Sequence, residues 1–156
     1  MKINLYALRA IYLHEMDRFR RTLTQSVLSP VLTTSLYFIV FGSVIGGYVE
    51  KIDGISYGSY IVPGLLMLTL LTQSISNTSF GIFFPKFNGT IYEILAAPIS
   101  TLEVVLAFVG AGATKTLIVS IIIFITSLFF VDVQVKYPLL MIFLLILVAF
   151  TFALFG

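Results

Sequence analysis

The chain has 156 residues, of which 59% are hydrophobic and only 10% are charged. A soluble domain carries about 25% charged residues, so this composition excludes an ordinary water-soluble protein. The chain contains no Cys and a single His, which excludes a cysteine-ligated centre and a His-cluster metal site within one copy. The formal net charge of +2 is too small to suggest a nucleic-acid partner.

Long blocks with almost no charge organise the sequence. A membrane-crossing helix needs about 20 mostly apolar residues, and each block reaches roughly that length. The blocks also lack the alternating pattern of an outer-membrane β-barrel. We therefore predict an all-α integral membrane protein with a single domain over residues 1–156. Its four transmembrane helices are expected near residues 24–45, 60–83, 104–130 and 138–156.

The N-terminal segment 3–20 has a different pattern. Apolar residues recur at every third or fourth position, and charged residues occupy much of the rest. This pattern is typical of an amphipathic helix lying in the membrane interface, and we favour that interpretation over a frayed basic tail. The apolar positions are Leu5, Leu8, Tyr12, Met16 and Phe19.

The placement of Lys and Arg predicts the orientation in the membrane. Six of them lie in the N-terminal segment or in the loop 84–102, whereas only two lie in the loops 46–59 and 131–138. Cytoplasmic loops of membrane proteins are enriched in Lys and Arg. We therefore expect the N-terminus and the loop 84–102 to be cytoplasmic, and the other two loops to face outward.

Local signals isolate a short helix in the loop 84–102. An Asn-Gly pair at 88–89 is a turn signal, and Thr90 followed by Glu93 is the pattern of a capping box. Pro98 disfavours helical geometry at the residue before it. The sequence therefore predicts a helix over residues 91–96 between two long spans.

A second capping-box pattern, Ser100 with Glu103, is expected to start the third span. The short helix before it has an apolar side formed by Ile91, Ile94 and Leu95. Such a side could rest on lipid headgroups, or it could dock a cytoplasmic partner in the manner of a helix in a groove. The pattern alone leaves both interpretations open.

Three polar residues within the spans are candidates for a substrate path or for helix packing: Gln73, Asn77 and Lys115. Polar groups at such depth must face protein or water. A Lys at the bilayer centre costs about 2.5–3.5 kcal/mol on insertion scales. Because the charge-free stretch after Lys115 nearly spans by itself, this side chain could snorkel to the cytoplasmic interface. The alternative is a role inside the helix bundle.

The segment Gly110–Thr116 superficially resembles a phosphate-binding loop. That motif requires Gly directly before the Lys and again five residues earlier, whereas Thr114 and Val109 stand there. The same segment contains a small-xxx-small pair, Gly110 with Thr114, and Gly42 with Gly46 makes another. Such pairs let helices approach closely and could form dimer contacts, although Gly is frequent in membrane helices anyway. We expect no nucleotide site and no enzyme activity on this chain.

Several short sequence motifs follow one another along the chain. They are Arg18–Arg20 in the basic segment, Ser29–Pro30 and Tyr37–Gly42 in the first span, Tyr60–Leu65 in the second, and Tyr92–Ser100 in the cytoplasmic loop. In these features, essentially the whole chain resembles the permease subunit of a type-2 ABC exporter. The resemblance implies a bundle of six spans, so the C-terminal third of such a permease is expected to be absent from this sequence.

The resemblance also implies a function. The chain would be the transmembrane permease of an ATP-driven export system in the cytoplasmic (inner) membrane, moving a lipophilic or lipid-linked substrate. ATP and Mg would be used by a separate ABC ATP-binding subunit, with no cofactor or metal bound by this chain. The chain would sit in membrane lipid beside a second permease copy, a homodimer.

Residues 90–97 would be the coupling helix that seats in a groove of the ATPase subunit. On this resemblance the binding residues are Thr90, Ile91, Tyr92, Glu93, Ile94, Leu95, Ala96 and Ala97. The alternative is a non-transporting membrane anchor or scaffold that recruits a cytoplasmic partner through the same helix.

Overall fold

The computed structural model describes residues 4–45, 51–52, 55–131 and 135–156. Gly46, and with it one of the two small-residue pairs, lies outside these residues, as do parts of the loops 46–59 and 131–138. The described helices are α1 (Leu5–Arg21), α2 (Leu23–Tyr37), α3 (Tyr57–Phe87), α4 (Ile91–Ala96), α5 (Thr101–Phe130) and α6 (Pro138–Phe155).

Helix α2 continues as a π-helix over Phe38–Ile45. Two strands of two residues each, β1 (Lys51–Ile52) and β2 (Ile55–Ser56), pair antiparallel before α3. Among the described residues, four helical stretches are long and apolar enough to cross a membrane: Leu23–Phe41, Tyr57–Phe87, Thr101–Phe130 and Pro138–Phe155. The predicted all-α membrane class is therefore confirmed.

The helix ends on either side of α4 follow from local chemistry. Helix α3 runs on to Phe87, four residues beyond the apolar block that predicted it, and Gly89 then turns the chain with φ of +80°. Glycine adopts this left-handed conformation without the penalty that a side chain would impose. Helix α5 begins at Thr101 because the Glu103 carboxylate accepts a hydrogen bond from the backbone N–H of Ser100 at 2.9 Å.

The capping box predicted at Thr90 does not form. The backbone of Thr90 is already helical, with φ −64° and ψ −18°, and its side chain makes no capping hydrogen bond. A capping residue needs a non-helical backbone to aim its hydroxyl at the first turn. The chain instead enters α4 directly from the turn at Gly89, whose carbonyl accepts the N–H of Tyr92 at 3.2 Å.

Helix α5 lies at the centre of the bundle and packs against α1, α2, α3 and α6. In its most apolar stretch 56% of the residues are buried, against 22% or less in the other candidate spans. One core cluster joins α5 to α1, the π-helix and α3: Phe19, Phe38, Val62, Leu66, Val119 and Ile123. A second joins α5 to α3 and α6: Leu70, Val109, Ala113, Leu145, Ala149 and Ala153.

The buried face of α3 changes character along the helix. Its first half is mainly apolar, whereas its later part carries Ser74, Thr78 and Gly81. The Ser74 hydroxyl donates to the carbonyl of Ala149 at 2.6 Å, a bond that requires α6 to lie very close to α3. Ala149 and Ala153 are fully buried at this crossing. Small residues permit this close approach of two helices. In lipid, helices associate through such packing because the hydrophobic effect does not drive them together.

We predict that Gly112→Ala destabilises the bundle. A Cβ added at Gly112 would meet the Thr78 hydroxyl well inside van der Waals contact, so α3 and α5 would have to separate. Overpacking of this kind typically costs about 1–3 kcal/mol. The apparent melting temperature in detergent should fall.

Gly110→Ala is the matched control on the same helix. A Cβ there would lie 4.0 Å from Tyr12 Cδ2, which is an ordinary contact. This variant should melt at or slightly above the unmodified temperature. Equal melting temperatures for the two variants would contradict the packing described at Thr78.

Candidate functional site

The exposed part of α4 is an apolar pair one turn apart. Tyr92 is 72% exposed and Leu95 is 66% exposed, whereas Ile91 and Ile94 are half-buried. The predicted apolar side is therefore divided. Its two Ile residues face the rest of the protein, whereas Leu95 and Tyr92 are exposed on the surface. Glu93 lies exposed between them. The surface that α4 offers is thus small, aromatic and aliphatic, with one carboxylate.

Short connections hold α4 between two long helices. The turn at residues 88–90 precedes it, and Ala97 after it has an extended backbone, with φ −71° and ψ 149°. The N–H of Ile99 donates to the carbonyl of Ala97 at 2.7 Å, which tightens the connection to α5. Displacement of α4 therefore acts on the beginning of α5 through only four residues, 97–100.

Glu103 joins this end of α5 to the beginning of α1. One carboxylate oxygen, Oε1, accepts the backbone N–H of Asn4 at 2.5 Å, and the other, Oε2, accepts that of Ser100. The side chain is only 5% exposed. Hydrogen bonds from N–H groups to a carboxylate are charge-assisted and stronger than those between neutral groups.

Lys115 forms a buried ion pair. Its Nζ lies 2.6 Å from Oε2 of Glu15 on α1, and both residues are almost fully buried, at 3% and 2% exposure. Arg18 approaches the same oxygen at 3.0 Å, with its guanidinium 5.8 Å from the centroid of the Phe84 ring. Lys115 is thus packed against α1 inside the bundle, and its side chain does not extend to the protein surface.

The other two predicted polar residues lie on α3. Asn77 donates from Nδ2 to the Thr116 hydroxyl on the facing helix α5 at 3.3 Å. Gln73 is half-buried one turn earlier. Asn77 and Lys115 both make contacts between helices, with Thr116 and Glu15 respectively, and a role for either in a substrate path stays a prediction.

The pair Gly110 and Thr114 faces α1. The Tyr12 hydroxyl donates to Thr114 Oγ1 at 3.1 Å, and the Tyr12 ring lies next to Gly110. This close approach serves a contact within one copy of the chain.

Glu15 is the residue whose importance the sequence analysis missed. It lies three residues after Tyr12 and four before Phe19, so it occupies the stripe that faces the bundle. An acid in the apolar stripe of α1 and a Lys in an apolar block of α5 are the two signals that together could have predicted the pair. Leu5, which the same pattern assigned to the stripe, is 69% exposed.

We predict that Glu15→Gln destabilises the protein strongly, because it leaves Lys115 and Arg18 without their shared carboxylate. Breaking one side of a buried ion pair typically costs about 3–5 kcal/mol. Thermal unfolding in detergent should show the loss, and Asp17→Asn, an exposed acid on the same helix, should show almost none.

The double variant Glu15→Leu with Lys115→Met should recover most of that loss. Apolar residues of similar volume often replace a buried pair without penalty. If Glu15→Gln melted like Asp17→Asn, the pair would not contribute to stability as described.

The chain was compared with known proteins. The profile of the family described as ABC-2 type transporter matches residues 6–156. The protein named inner membrane transport permease YadH, from Escherichia coli (strain K12) and from Shigella flexneri, is 39% identical over 150 residues. The match covers 96% of this chain and 59% of each relative, and no solved structure matches. The chain therefore belongs to the ABC-2 type transporter family, as a multi-pass transmembrane subunit.

Proposed function

We propose that the chain is the permease of an ATP-driven export system in the cytoplasmic membrane, and that α4 is the surface on which a separate ABC ATP-binding subunit docks. The observation that carries this proposal is the exposed pair Tyr92 and Leu95 on a short helix held between two long spans. Helices commonly bind a protein partner by placing an apolar face in a hydrophobic groove of that partner.

The position of α4 supports its exposure to the cytoplasm. The hydrogen bond from Asn4 to Glu103 places the beginning of α1 at the same end of the bundle as α4. The exposed cations Arg9 and Lys86 belong to the first half of α1 and to the last turn of α3. Because basic residues favour the cytoplasmic side, the shared end supports a cytoplasmic N-terminus and a cytoplasmic α4.

The spans favour a substrate that is lipophilic or lipid-linked. Helices α2 and α6 carry no charged residue, and α3 carries none before Lys86. Lys115 is paired with Glu15 on α1. Any path along these helices therefore offers hydrogen-bonding groups such as Gln73 and Asn77 rather than fixed charge. A second copy of the permease completes the proposed transport unit, in which this chain binds neither ATP nor Mg.

We predict that Leu95→Asp weakens docking. The permease is co-expressed with an ABC ATP-binding subunit from the same organism and purified through a tag on the permease. Loss of a central apolar contact commonly costs about 2 kcal/mol, or roughly thirtyfold in affinity. Adding Glu93→Lys should weaken co-purification further.

Leu5→Asp is the matched control. Leu5 is as exposed as Leu95, at 69% against 66%, and lies on the neighbouring helix α1. Its variant should retain the ATP-binding subunit at the unmodified level. Unchanged co-purification and ATPase activity with Leu95→Asp would refute docking at α4. A partner that binds through α4 but hydrolyses no ATP would instead indicate the scaffold alternative.

A further inference from the structure

Helix α1 runs alongside the first half of α5, in the same direction. The contacting positions advance almost equally along both helices, over about 24 Å of α5 at 1.5 Å per residue. The pairs are Asn4 with Glu103, Tyr12 with Thr114, Glu15 with Lys115, and Phe19 with Val119 in one core cluster. Polar bonds therefore hold α1 to α5 at the beginning and in the middle of α1, and apolar packing around Phe19 follows near its end.

The bond at the beginning is also the connection to α4. Glu103 accepts one N–H from α1 and one from Ser100, the last residue of the tight connection that follows α4. A shift of α4 that moves Ser100 therefore acts on the same carboxylate that holds Asn4. This carboxylate is a junction between the docking helix, α5 and α1.

At its other end α1 leads directly into the first span. Only Thr22 separates α1 from α2, and its N–H still donates to the carbonyls of Arg18 and Phe19 at 3.2 and 3.1 Å. The ion pair of Glu15 with Lys115 lies within two turns of this junction. Whatever moves the end of α1 must therefore move the beginning of α2.

We infer that Glu103, Glu15 and Lys115 are positioning residues that fasten α1 to α5, so that displacement of α4 moves α2 together with α5. The inference rests on the proposed function, because docking of the ATP-binding subunit supplies the displacement. Without this fastening, displacement of α4 would act directly only on α3 and α5, the two helices that it connects, and would reach α2 through the packing of α2 against α5.

The experiment measures a distance between α2 and α3 while the ATP-binding subunit works. These 156 residues contain no Cys, so spin labels are attached to Cys introduced at Leu32 on α2 and Leu68 on α3, which are both exposed. The complex in nanodiscs is measured by pulsed electron paramagnetic resonance without nucleotide and after trapping with ATP and vanadate. The distance should shift on trapping.

Glu103→Gln and Glu15→Gln should each reduce that shift by at least half while the ATP-binding subunit still co-purifies. Asp17→Asn, the exposed acid on α1, should leave it unchanged. The charge swap Glu15→Lys with Lys115→Glu should restore it, because the swap re-forms the ion pair between α1 and α5. A full-sized shift in both Gln variants would overturn the inference.

A second measurement on the chain alone separates the inference from the proposed function. Labels at Leu13 on α1 and Ile121 on α5, both exposed, should give one narrow distance that Glu15→Gln broadens. An unbroadened distance would overturn the fastening even if the ATP-binding subunit docks at α4. Failure of docking in the unmodified complex, with fastening intact, would instead refute the proposed function.

Discussion

Lys115 is an ammonium group inside an apolar helix, and its need for a counter-ion determines where α1 lies. An unpaired buried charge costs several kcal/mol, more than most single apolar contacts contribute. Glu15 meets that need at 2.6 Å, so α1 must follow α5 closely enough to present it. Because α2 continues from α1, the path of the first span depends on the same pair.

The close packing of the remaining helices complements this arrangement. Gly112 admits the Thr78 side chain between α3 and α5, and Ala149 admits the Ser74 hydroxyl between α3 and α6. Helix α5 thereby contacts every other long helix of the described part of the chain while its beginning receives the connection from α4. In the proposed docking, displacement of α4 would act directly on the helix that packs against all the other long helices described.

Local signals were sufficient to predict much of the fold. The lengths of the apolar blocks located the four spans, and the turn at 88–89 with Pro98 isolated α4. The predicted capping box of Ser100 and Glu103 forms. The one predicted at Thr90 does not form, because the backbone of Thr90 is already helical. Glu15 and Lys115 are 100 residues apart, so no local pattern encodes their contact. The exposure of Tyr92 in place of Ile91 likewise depends on how α4 rests against α3.

The central claim is that α4 touches the ATP-binding subunit. A photo-crosslinking amino acid at position 95, compared with one at the exposed Tyr6 of α1, tests it most directly in membranes that contain both subunits. We expect an adduct with the ATP-binding subunit from position 95 and little or none from position 6. An adduct from position 6 alone, or lipid adducts only from position 95, would contradict it.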